Sequence, residues 1–241
     1  MADKAALLFL DTETTGNDVT TDRLCQVCYK IGGDIHTKNF KPPVPISTKA
    51  MSITHITNDM VAGEESFEGS AMQKELGNLL KDSIFVAHNA KFDIAMLASE
   101  GLSVPRHICT LRLVRYLDNE QEIPEYNLQY LRYHYGVDVK ADAHSAEGDV
   151  LVLEAVFSHL YKIAENRAPD TSRGEILKRM IDISSQPSLI KRFTFGKYAG
   201  ELLEDVARSD SGYLDWLLRE KRKTPEDEED WIFSLEKYLG S

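Results

Sequence analysis

The chain has 241 residues, 42% of them hydrophobic, enough for one α/β core and a small second unit. Its three cysteines, Cys25, Cys28 and Cys109, are too few for a disulfide framework and fit a reducing cytoplasm. The net charge of −11 argues against a broadly basic nucleic-acid surface, and no apolar run approaches the roughly 20 residues of a membrane span.

The opening apolar run is short and ends in two acids, so Ala6–Leu10 reads as a buried strand rather than a signal peptide. Leu24–Ile31 and Asp34–Phe40 alternate as a hairpin about Gly32-Gly33. A helix is expected near Ser70–Lys81, then a short buried strand at Ile84–Ala87. Helices follow over Ala90–Glu100, Leu111–Leu117 and Asn127–Tyr135, two of them stopped by Gly101 and Gly136. Ser145–Ile163 is a long amphipathic helix with Val150, Leu153, Val156, Phe157 and Leu160 on one face. Strands in a hairpin followed by strands mixed with helices imply a mixed sheet covered by helices.

Beyond residue 165, Ser172 and Glu175 form a capping box before an apolar stripe, which reads as a linker helix within 166–187. The remainder, 188–241, reads as a small α+β module. It has a strand at Arg192–Phe195, helices near Gly200–Arg208 and Tyr213–Lys221, and a last helix opening at Thr224-Pro225.

Three clusters carry chemistry. Asp11 and Glu13, two apart on a strand, share a face and offer hard oxygen ligands suited to Mg²⁺ or Mn²⁺. His88-Asn89-Ala90-Lys91-Phe92-Asp93 follows the second buried strand, with Asn89 as N-cap and Asp93 in the first helical turn. His144-Ser145-Ala146-Glu147-Gly148-Asp149 opens the long helix and sets an acid beside an apolar stripe, where an unpaired charge is costly. Cys25-Gln26-Val27-Cys28 is no metal or redox pair, because positions i and i+3 of a strand face opposite sides.

Asp11-Thr12-Glu13-Thr14-Thr15-Gly16, His88 to Asp93, and His144-(four residues)-Asp149 resemble, in order and spacing, the motifs of the DEDD exonucleases. The histidine marks the DEDDh, DnaQ-like branch, with a ribonuclease H-like fold over residues 1–165. The resemblance implies a 3′–5′ exonuclease that releases 5′-mononucleotides from DNA, in repair or proofreading-type processing. Asp11, Glu13, Asp93 and Asp149 would hold two divalent ions, Mg²⁺ or Mn²⁺, with His144 as general base. It also implies substrate contacts from Thr14, Thr15, Gly16, His55, Asn89 and Phe92. RNA trimming and non-catalytic nucleic-acid binding stand as alternatives. Phe193 to Gly200, with Tyr213 to Leu217, resembles the C-terminal module of exonuclease X-like proteins. Lys191, Arg192 and Lys197 there either contact nucleic acid or surround a purely structural aromatic core.

Overall fold

The computed structural model describes residues 5–139, 146–225 and 228–240. Five strands form one mixed sheet: β1 (Leu7–Thr14), β2 (Leu24–Ile31), β3 (Asp34–Asn39), β4 (Ile84–Ala87) and β5 (His107–Cys109). Their order is β3-β2-β1-β4-β5. β1 pairs antiparallel with β2 and parallel with β4, which runs parallel to β5. Gly32 takes φ +59° in the β2–β3 turn, a left-handed value that suits glycine.

The faces of the sheet follow from alternation along β1. Leu8 and Leu10 enter the core beneath α3 (Ala71–Asp82) and α4 (Ala90–Ser99). Phe9 enters the opposite core, where its ring meets Phe157 edge-on at 5.5 Å. That second core is closed by α5 (Thr110–Leu117), α6 (Leu128–His134), α7 (Ala146–Arg167) and α8 (Arg173–Ser184). Asp11 and Glu13 therefore continue the Phe9 side of the strand, toward α7, whereas Thr12 continues the Leu8 side, toward α4.

α8 opens with the expected capping box, Ser172 Oγ accepting from Glu175 N and the Glu175 carboxylate from Ser172 N. Its Ile176, Leu177 and Met180 are buried in the core with α5 and α7, so the segment expected as a linker forms a wall of the first unit. α1 (Thr48–Thr54) and α2 (Asn58–Val61) cover Cys25 at the edge of the sheet; periodicity in so short a stretch did not announce them, nor the three-residue β5. Cys25 and Cys28 lie in different cores and are free thiols.

After the break at Ser184 to Pro187, a separate core gathers Ile190, Phe193, Leu203, Val206, Leu214, Leu217 and Leu235. It is built by α9 (Leu203–Ser209), α10 (Ser211–Lys221) and α11 (Glu229–Leu239). The strand expected over Arg192–Phe195 reduces to one antiparallel bridge between Arg192 and Leu202, because Gly196–Tyr198 turns immediately into a 3₁₀ helix. The last helix begins at Glu229 rather than at Thr224-Pro225: Thr224 N bonds Lys221 O in the turn that ends α10. Among the described residues no helix is long and apolar enough to cross a membrane.

Candidate active site

Asp11 and Glu13 lie inside β1, which runs four residues beyond the expected end at Leu10. Opposite them on β2 stand Cys28 and Gln26, and the ladder slips between Glu13 and Thr14, leaving Cys25 unpaired in the register. Such a slip bends the strand locally and re-aims the side chains beside it. Asp93 enters from the first turn of α4 and Asp149 from the first turn of α7. The structure thus brings the acids of three distant segments to one end of β1. His144 lies outside the described residues.

The electrostatics record this convergence. Asp11 is held well above the usual carboxylate range by burial, then by the charges of Asp93, Glu13 and Asp149. Glu13 is pushed up to about 7 by burial, then by Asp149 and Asp93. Asp93 is only 5% exposed, and burial raises it despite opposing hydrogen bonds from Thr12 and its own backbone. Every resolved influence on Asp11 and Glu13 disfavours their charge. Among the described residues, no three His, Cys, Asp or Glu side chains are drawn into a tight metal cluster. Half-buried, hard, mutually repelling oxygen donors fit a divalent cation, which would relieve the cost of charging them together. Neither thiol nearby adds a ligand. Burial and neighbouring acids push Cys25 up to about 12 and Cys28 up to about 11, so both stay protonated near neutrality.

Two neutral side chains orient these acids, and neither was evident from spacing. Thr12 Oγ1 donates to Asp93 Oδ1 at 2.7 Å, tying β1 to α4. Gln129 of α6 donates from Nε2 to Asp149 Oδ1 at 2.6 Å. Thr12 was hidden between the two acids it accompanies. Gln129 lies 20 residues before its partner, with no motif to mark it.

The histidine of the second cluster is engaged structurally. His88 Nε2 donates to Tyr126 O at 2.8 Å, and Nδ1 faces Thr110 Oγ1 at 2.9 Å. A carbonyl only accepts, so the proton sits on Nε2 and Nδ1 accepts from the threonine. Desolvation, with Arg115 nearby, pushes the imidazole down to about 4 against the Tyr126 carbonyl, which favours the charged form.

The expected substrate contacts divide into exposed and engaged groups. His55 and Asn89 are exposed, both with left-handed φ of 59°, His55 as C-cap of α1 and Asn89 as N-cap of α4. Asn89 makes no side-chain cap bond, contrary to the expectation, because its left-handed backbone turns the amide away from the helix end. Phe92 is half-buried against the α4 core. Thr14 and Thr15 are buried, their hydroxyls bonded to Gly16 O and Asp22 Oδ1. A Cβ on Gly16 would stand 2.4 Å from Asp22 Oδ2, which is itself fixed by Asp18 N. This glycine is thus required by Asp22, whatever approaches from solvent.

In the C-terminal module the three bases have partners within the chain. Lys191 Nζ donates to Asn119 O at 2.6 Å, and Arg192 donates to Gly200 O. Lys197 pairs with Asp210 at 3.0 Å over the rings of Tyr198 and Tyr213. The aromatic side chains around Phe193 form the core of the module.

Residues 8–157 match the family model described as Exonuclease, and residues 193–222 match the one described as Exodeoxyribonuclease X-like C-terminal. The chain is 30% identical over 215 residues to Exodeoxyribonuclease 10 of Escherichia coli (strain K12), covering 88% of this chain and 90% of the relative. It is 29% identical over 164 residues to the DNA polymerase III subunit epsilon of Treponema pallidum (strain Nichols), covering 64% of this chain and 75% of that one. Among solved structures, exonuclease X in complex with 5′ overhanging duplex DNA superposes with a TM-score of 0.57 at 25% identity, covering 74% of this chain and 99% of that one.

Proposed function

The chain belongs to the exonuclease family and is a 3′–5′ exonuclease; on that footing we propose that it acts on DNA, releasing 5′-mononucleotides one at a time. Asp11, Glu13, Asp93 and Asp149 would hold two divalent ions, Mg²⁺ or Mn²⁺, and His144 would serve as general base. The observation that carries this reading is the convergence of carboxylates from β1, α4 and α7 at one end of the sheet, where burial and the charges of Asp93 and Asp149 raise Asp11 and Glu13. Bound there, the ions would supply Lewis acidity toward the phosphoryl oxygens and charge neutralisation for the acids.

The chain's own residues do the positioning. Thr12 fixes the Asp93 carboxylate and Gln129 fixes that of Asp149, so two of the four acids are pre-oriented by neutral donors. His144 would take the proton of the attacking water, a role that an imidazole can fill near neutral pH. His88 is unsuited to that task, since both ring nitrogens are engaged. DNA is favoured over RNA by the relatives: one is named for deoxyribonuclease activity, another as a DNA polymerase subunit, and the solved neighbour holds duplex DNA.

The test is a gel with 5′-labelled single-stranded DNA, duplex DNA and RNA, each with Mg²⁺, Mn²⁺ or EDTA. The expected result is a ladder shortening from the 3′ end of DNA, absent in EDTA. The variant Asp149→Asn keeps the fold and loses hydrolysis, because no other acid replaces the fourth ligand. Full activity of that variant in Mg²⁺ would reject the site, and faster shortening of RNA would reassign the substrate.

A further inference from the structure

The C-terminal module meets the first unit along a seam of opposite charges. On α5, Arg112 and Arg115 stand one turn apart and face α11. Arg112 Nη2 lies 2.9 Å from Glu229 Oε2 and 3.6 Å from Asp230 Oδ1, and Arg115 Nη1 pairs with Asp230 Oδ2. Lys91, next to Asn89 on α4, reaches the same Glu229 oxygen at 3.2 Å. Three cations thus converge on two carboxylates.

Space lies on both sides of these pairs. A cavity of 830 Å³, beside the carboxylate cluster rather than over it, is lined by His88, Asn89, Lys91, Tyr126 and Trp231 as well as both arginines. A second cavity of 660 Å³ continues the seam beyond the arginines, which line both. The first opens at the N-terminal end of α4, the helix that carries Asp93.

We propose that this seam is a binding cleft for a single strand of nucleic acid, in which Glu229 and Asp230 occupy the places of two phosphates and yield to them. The inference rests on the exonuclease reading. A guanidinium accepts carboxylate and phosphate oxygens with the same planar fork, so one anion exchanges for the other without rebuilding the site. Arg112 and Arg115 keep only 13% and 22% of their side-chain surface exposed, so most of their desolvation is already met in the closed seam. Tyr126 and Trp231 line the first cavity, and aromatic rings are platforms on which bases stack. The cleft supplies cations beside the site of an acidic chain, and the module's carboxylates hold it shut in the absence of a strand. The strand's apparent affinity is then reduced by the fraction of molecules that are closed.

The test uses the full chain carrying Asp149→Asn, so that a labelled single-stranded oligonucleotide survives in Mg²⁺. Its affinity is measured by anisotropy across a salt titration, with and without Glu229→Gln and Asp230→Asn. Opening the seam should tighten binding by about tenfold and leave the log–log salt slope near the parent's, because the bound strand meets both arginines in either chain. Adding Arg112→Gln and Arg115→Gln should weaken binding below the parent and flatten the slope by about 1.4, the value for two phosphate contacts on a single strand. Equal or weaker binding in the opened variant, or an unchanged slope when the arginines are lost, in variants whose melting curves show them folded, overturns the cleft and leaves the pairs as docking contacts.

A second readout needs no change in the seam. Trp231 lines the cleft and Trp216 is the other tryptophan, so Trp216→Phe isolates its fluorescence. Saturating oligonucleotide should shift that emission, and an unchanged spectrum rejects displacement. Hydrolysis by the Asp149→Asn background would fail the catalytic assignment instead, and it is read on a separate gel.

Discussion

Thr12 illustrates how a neutral side chain tunes an acid. Its hydroxyl bond opposes the effect of burial on Asp93, so removing it raises that carboxyl further. Thr12→Val keeps the shape, and the variant should fold while its pH–rate profile moves to higher pH. Activity at pH 7 should fall by roughly tenfold, the worth of one charge-assisted hydrogen bond. An unmoved profile would mean that the bond only joins β1 to α4. His144 is tested by His144→Ala, expected to slow single-turnover hydrolysis by roughly 10²–10⁴-fold while oligonucleotide binding persists. A variant as fast as the parent at pH 7 would hand the base role to another group. Asp11, Glu13, Asp93 and Asp149 were singled out by the order and spacing of three motifs that resemble a family, since strand and helix periods alone left each with an ordinary structural role. Gln129 was not, because α6 meets α7 only through tertiary packing. The buried role of Thr15 and Gly16 was equally hidden, since it depends on Asp22, a neighbour across a loop.

At the level of elements, strong periodicity translated directly. β2 and β4 span their expected residues, and α3, α4, α6 and α7 differ only at their ends. The failures have local causes. β5 has three residues and α2 four, too few for either period to register. The Thr224-Pro225 pair looked like a helix start because its chemistry suits one, but Thr224 closes the turn after α10. α8 is the instructive case: its capping box was plain, but its partners were not. Leu177 is fully buried against α5 and α7. Leu177→Ala should cost about 2–5 kcal/mol of stability and lower the melting temperature of the first unit. If α8 were only a tether, the melting curve would be unchanged.

For the molecule as a whole, the carboxylate cluster couples stability to pH and to cations. Asp11, Glu13 and Asp93 are raised in the folded state, so the native protein holds protons that the unfolded chain has released. Stability from these groups is complete below the ordinary carboxylate range and is lost as pH rises through about 7, the value for Glu13. His88 acts in the opposite sense: depressed to about 4, it takes stability away as pH falls from the ordinary imidazole range. The two are separable because only the carboxylates respond to cations. In EDTA the melting temperature should fall between pH 5 and pH 8 once the His88 contribution is removed by comparison with the Mg²⁺ series. Mn²⁺ or Mg²⁺ should raise melting more at pH 8 than at pH 5. A cation effect independent of pH would place the ions elsewhere.

The strand arrangement also governs when the acids first meet. β1 pairs with β4 across 77 positions of chain, Leu7 facing Ile84, and α7 must then pack on that sheet to deliver Asp149. Long-range pairing of this kind is slow, because distant segments must close before contacts reward them. During synthesis, Asp11 and Glu13 leave the ribosome well ahead of Asp93, and Asp93 well ahead of Asp149. A growing chain therefore carries an incomplete ligand set until α7 has emerged and docked. The last closure brings like charges together, so divalent ions should speed the final refolding phase and leave the earlier ones alone. If Asp149 completes the ligand set, nuclease activity is timed to the end of folding, and a chain cut short before α7 would be harmless to the nucleic acid around it.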